Sequence, residues 1–184
     1  VFGKEAMAAY GVPISSPSRR VQAVRDLCVL DLGAGEKLRI FWTPGHAWHH
    51  MSVFLENEQL LITGDAVGLH YPIFDFPIPA TPPPGFDADQ YMRTLRGFIE
   101  MNPAGLLLPH FGPVREHVRG FLETNLSTIK RWVSIAFEVV YSGESVDRIF
   151  ESFISDVANR SGWPREDVPD HIARSIMLTA RGCY

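Results

Sequence analysis

A mixed α/β (α+β) fold is predicted by three features of this 184-residue chain. Short runs of Leu, Ile, Val and Phe between residues 27 and 63 are separated by Gly- and Asn-containing turns, the pattern of consecutive β-hairpins. A helical period over 87–101 is followed by one more apolar run, Gly105 to Pro109, read as a buried strand. Beyond Val114, apolar residues recur at helical spacing almost to the end. With 46% hydrophobic residues, the chain has the material for a sizeable core.

Each element has its own signal. Residues 2–10 carry a helical pattern that Gly11-Val12-Pro13 ends, and Ser15 to Arg20 is a polar loop. Leu27 to Leu32, a Gly33-Ala34-Gly35 turn and Leu38 to Trp42 make the first hairpin. Met51 to Leu55, the polar turn 56–59 and Leu60 to Thr63 make the second. Residues 66–86 hold six of the fourteen prolines, which lack the N–H a central strand needs, so a stiff loop bordering a site is expected. Asp87 is placed to cap a helix reaching about Met101, with Tyr91, Leu95 and Phe98 on one face. From Val114 a stripe through Val118, Phe121, Leu122, Leu126, Ile129, Trp132 and Val140 predicts a long amphipathic helix broken at Gly143. Ser145 to about Asn159 and Asp167 to about Arg181 predict two more, opened by Ser and Asp as N-cap candidates. Two units are expected, 1–114 and a helical extension, 115–184.

Composition excludes several partners. A net charge of −4 without a basic run argues against nucleic acid, whose phosphates need clustered Lys and Arg. No run of about 18 apolar residues exists, so no membrane association is expected. Cys28 and Cys183 show neither metal nor redox spacing, and unpaired thiols favour a reducing cytoplasm.

The chemistry lies in three segments. His46 follows Thr43-Pro44-Gly45, Asp65 follows Thr63-Gly64, and His110 follows Leu108-Pro109, each just after a strand-like run, where sheet proteins build sites. Two imidazoles and a carboxylate suit zinc, and manganese or iron accept the same donors. Each residue also has a plainer reading: a histidine after a strand is often a hydrogen-bonded structural residue, and Asp65 could form a turn or cap a helix.

Together the segments resemble the second metal-binding half of the metallo-β-lactamase fold superfamily, over roughly residues 20–115. The resemblance implies an αββα sandwich, of which this chain would be the C-terminal half plus an α-helical C-terminal extension. It implies a centre of two divalent ions, in which His46 completes the first site, Asp65 bridges and is the catalytic residue, and His110 binds the second ion. His50 matches a histidine common in the hydroxyacylglutathione hydrolase branch and is read as orienting the site through its ring, with buried packing the alternative. Gly68 to Asp87, with its proline-rich stretch 79–87, is similar to an uncharacterised prokaryotic hydrolase-like subgroup, whose C-terminal extension the helical tail beyond Val114 resembles. The superfamily's His-x-His-x-Asp-His is missing from these residues, so the ligand set is incomplete and the chain is expected to be truncated, starting at Val1 without Met.

The implied activity is hydrolysis of an ester, thioester, lactone or phosphoester by a metal-bound hydroxide, with this truncated chain inactive or nearly so. Tyr71, His70 and Phe86 are candidate substrate contacts for a small molecule, although the plainer reading, in which the aromatics pack the loop onto the core and His70 is a loop residue, is favoured. The rival class is a non-catalytic interaction or dimerisation module derived from the same fold. Either way, removal of half a sandwich would bare an apolar sheet face, so a homodimer, or association with the missing N-terminal half, is expected.

Overall fold

In the computed structural model, which describes residues 7–8, 11–12 and 14–184, six strands form one mixed sheet in chain order. They are β1 (Cys28–Gly33), β2 (Glu36–Trp42), β3 (Met51–Leu55), β4 (Leu60–Ile62), β5 (Gly105–Leu108) and β6 (Gly112–Val114). All neighbours pair antiparallel except β4 and β5, which run parallel. A parallel pair needs a crossover, and the loop after β4 together with α1 (Ala88–Met101) supplies it. Met7 and Ala8 are helical; the rest of the helix expected over 2–10, and Pro13, lie outside the described residues, save Gly11 and Val12.

Strand alternation divides the sheet into two unlike faces. Phe54, Leu61, Leu106 and Val114 stand in one cross-strand row and are buried with Tyr91, Leu95 and Phe98 of α1 and the first turns of α2 (Val118–Tyr141). The opposite row is Cys28, Ile40, Val53, Ile62 and Leu107, flanked by Trp42 and Met51. None of these is buried, and Trp42, Met51 and Ile62 are exposed.

A second core joins the proline-rich loop to the tail. Tyr71, Phe74, Phe76 and Ile78 pack with Trp132 of α2, Phe153 of α3 (Val146–Ser161) and Ile172 and Ile176 of α4 (Asp170–Cys183). The loop is pinned by a two-way backbone pairing of Leu69 with Ile78.

Some boundaries differ from the sequence expectation. Strand β6 was not expected: it is three residues long and contains Pro113, tolerated because it lies at the sheet edge. The long helix therefore starts at Val118, after His117 in a left-handed conformation, rather than at Val114. The last helix starts at Asp170 behind Pro169, not at Asp167, which closes a separate 3-10 turn. Asp87 caps α1 as expected, its carboxylate accepting from the Gln90 N–H at 2.9 Å, whereas Ser145 makes no side-chain cap bond. Both cysteines are free, and among the described residues no helix is long and apolar enough to cross a membrane.

Candidate metal centre

The turn carrying His46 is moulded onto the start of α1. Gly45 adopts φ +131, and a Cβ there would lie 2.3 Å from the backbone of Tyr91, so only glycine lets the turn lie this close. The Asp87 N–H donates to the Gly45 carbonyl at 2.8 Å, and the Thr94 hydroxyl donates to the Pro44 carbonyl at 2.8 Å. His46 then turns its Nδ1–H onto the Ala80 carbonyl at 2.9 Å. That bond sets the tautomer and leaves Nε2 with a lone pair.

Asp65 is placed by His50. The Asp65 backbone N–H donates to His50 Nε2 at 2.9 Å, which makes Nδ1 the protonated nitrogen; Nδ1 lies 2.9 Å from the Thr43 hydroxyl and 3.1 Å from the Thr43 carbonyl. From Thr43 the chain of hydroxyls continues: Thr43 donates to Ser52 at 2.9 Å, and Ser52 donates to the Thr63 carbonyl at 2.8 Å. All three hydroxyl residues are buried, so this satisfied network ties the ends of β2, β3 and β4 to one imidazole. Burial, and then the neighbouring His46, push His50 below the ordinary imidazole pKa, in keeping with a neutral ring that accepts at Nε2. Gly64 makes room for the ring: a Cβ there would sit 2.4 Å from His50 Nε2.

The three expected donors meet at Asp65. His46 Nε2 lies 3.6 Å from Asp65 Oδ2, and His110 Nε2 lies 3.2 Å from Asp65 Oδ1. Oδ1 is nevertheless buried without a hydrogen-bond partner. With Nδ1 of His46 committed to Ala80, its Nε2 lone pair sits near carboxylate lone pairs, an arrangement that a cation between them relieves. Among the described residues, no three or more His, Cys, Asp or Glu side chains form a cluster that could hold a metal ion. The donors thus pair off, one imidazole to each carboxylate oxygen.

Around them lies a cavity of about 490 Å³ that also takes in Tyr71, Phe111, His171 and Leu178. Tyr71 is therefore beside the candidate centre. His70 is not: it packs edge-on to Phe121 at 5.1 Å and faces a different cavity. Phe86 packs on Tyr91 at 5.8 Å. The loop aromatics Tyr71, Phe74 and Phe76 are core residues in the first instance. Sequence reasoning passed over the Thr43–Ser52–Thr63 relay and the contribution of α4. Small hydroxyls at strand ends beside a histidine were the available signal for the first; nothing local signals the second.

The sequence profile of the metallo-beta-lactamase superfamily matches residues 4–110, and the chain belongs to that family. A curated relative, the metallo-beta-lactamase fold-containing protein ST1585 of Sulfurisphaera tokodaii, is 38% identical over 97 residues, covering 50% of this chain and 35% of the relative. Its solved structure superposes with a TM-score of 0.55 at 29% identity over 71% of this chain and 46% of that one. The metallo-beta-lactamase family protein TTHA1429 of Thermus thermophilus shares the fold over 97% of this chain and 56% of its own, with a TM-score of 0.60 at 18% identity. The inverting sec-alkylsulfatase Pisa1 of Pseudomonas sp. shares it over 89% and 26%, with a TM-score of 0.58 at 17% identity. The chain thus spans about a third of its curated relative's length and under half of that relative's solved chain.

Proposed function

We propose that this chain carries part of the metal centre of a metal-dependent hydrolase, with His46, Asp65 and His110 as ligands and zinc as the ion that suits them best. The observation that carries the reading is the Asp65 carboxylate held between two imidazole Nε2 atoms, one at each oxygen, with buried Oδ1 lacking a hydrogen-bond partner. Two ions bridged by Asp65 would each find two donors here, so the set fits divalent metal but does not complete it. The family includes hydrolases, an alkylsulfatase among them.

A divalent ion at such a site supplies Lewis-acid polarisation of the scissile group and an activated water. The residues have distinct tasks. His46, held by Ala80, presents its Nε2 to the site; His50 holds the backbone of Asp65 and so aims its carboxylate; and Tyr71 and Phe111 line one side of the cavity. The substrate is a small ester, thioester, lactone or phosphoester.

Zinc titration by calorimetry tests this. The chain is expected to bind zinc, and Asp65→Ala to cost more than the 10–100-fold typical of residues that only orient a ligand. Equal affinity in wild type and Asp65→Ala would sink the reading. By itself the chain is expected to turn over esters and lactones weakly or not at all; chelator-sensitive turnover lost in Asp65→Ala would contradict that. The uncovered sheet face favours a second reading, a non-catalytic association module, and a chain that binds no zinc but pairs through that face would support it.

A further inference from the structure

Helix α4 belongs to the wall of the candidate site. His171, Ser175 and Leu178 are spaced for one helix face and line the cavity that holds His46, Asp65 and His110. The helix is fixed there by buried hydrogen bonds. Thr81 donates through its hydroxyl to the Thr179 carbonyl at 2.8 Å, and Thr179 donates through its own to the Pro79 carbonyl at 2.9 Å. Between those two anchors sits Ala80, whose carbonyl holds His46, so one three-residue segment positions both the candidate ligand and the wall. The Ser175 hydroxyl donates to the His171 carbonyl at 3.1 Å, leaving Tyr71 to donate to the Ser175 oxygen at 2.8 Å. The Tyr71 ring in turn lies 4.7 Å from Phe111 and 5.7 Å from His171.

Leu178 and Phe111 give this wall an apolar patch beside the polar Ser175 and His171. Leu178 is 49% exposed and Phe111 51%, although both line a concave cavity. Apolar surface left wet in a cleft is what an apolar ligand covers favourably. Among the described residues, the lining includes no Lys or Arg, the side chains that bind phosphate or sulfate groups away from a metal.

We propose that Leu178 and Phe111, braced by Tyr71, His171 and Ser175, are specificity-determining residues that receive the uncharged alkyl or acyl chain of the substrate. This rests on the hydrolase reading for the bond that is cut, and it selects esters, thioesters or lactones with an apolar tail over phosphoesters.

The test uses the full chain and a series of unbranched primary alcohols from butanol to octanol, followed by residue-resolved NMR with and without zinc. Signals of residues 171–179 and 111 are expected to shift, with affinity rising about four-fold per added methylene. Leu178→Gln and Phe111→Asn, both at half-exposed positions and the second tolerant of a positive φ, are expected to flatten that dependence. Affinity independent of chain length, the same dependence in both variants, or shifts confined to the open sheet face at residues 40, 53 and 62 would overturn the proposal. The outcomes separate: zinc binding lost in Asp65→Ala with no alcohol response at α4 keeps the metal reading and removes this one, and the reverse result removes the metal reading and keeps the wall.

Discussion

His50 shows how much of the site rests on one side chain that need not touch a metal. It accepts from the Asp65 backbone and is itself held by a relay of buried hydroxyls, so its loss would free the Asp65 N–H and leave Thr43 bonded to Ser52 alone through its hydroxyl. His50→Ala is expected to lower zinc affinity by 10–100-fold while far-UV circular dichroism stays unchanged; zinc competition with a chromophoric chelator measures it, and unchanged affinity would show that Asp65 is aimed by other contacts. Gly64→Ala should act in the same direction, because its Cβ would collide with the ring. His46 and Asp65 were legible because Thr-Pro-Gly-His and Thr-Gly-Asp follow strand-like runs and resemble the family's metal-binding segments; the contacts that demand their glycines, with Tyr91 and His50, were not. The relay was not legible, since Thr43, Ser52 and Thr63 meet only once β2, β3 and β4 are in register.

Helix α1 couples the site to ordinary helix physics. Asp87 caps it through Gln90 and also donates its own N–H to Gly45, so the cap and the metal-site turn share a residue. Its hydrogen bonds from the Gln90 side chain and backbone hold the Asp87 carboxyl below the usual carboxylate pKa. A depressed folded-state pKa means the ionised cap stabilises above the unfolded-state value, and this contribution is lost as pH falls through the folded one. Asp87→Ala is expected to cost about 1 kcal/mol at neutral pH, and the difference from wild type should shrink on acidification; urea melts at pH 7 and pH 3 check it, and an equal gap at both would refute the ionic cap. Helix α4 differs in kind. Its period declared an amphipathic helix, but which core it joins and that its other side meets a cavity followed only from Thr81, Thr179 and the packing of the proline-rich loop.

At the scale of the molecule the decisive feature is a sheet with one face packed and one open. Patches of this kind mark surfaces that associate. We expect the chain to pair through the face of Ile40, Val53 and Ile62, and light scattering should return a dimer that Ile62→Lys weakens; a monomer at 20.7 kDa would refute it. The hairpins, the crossover helix and the helical tail were readable from the amino-acid order because each rests on periods of two or 3.6 residues and on local turn chemistry. So were the three donor candidates, as residue types placed at strand ends. The meeting at Asp65 and an open sheet face were expected through the family resemblance and from no local pattern, whereas the hydrogen bonds that hold the donors and the cavity shared with α4 were decided by tertiary structure alone. Those depend on contacts between residues up to about a hundred positions apart, such as Thr81 with Thr179, and no local pattern encodes a partner at that distance.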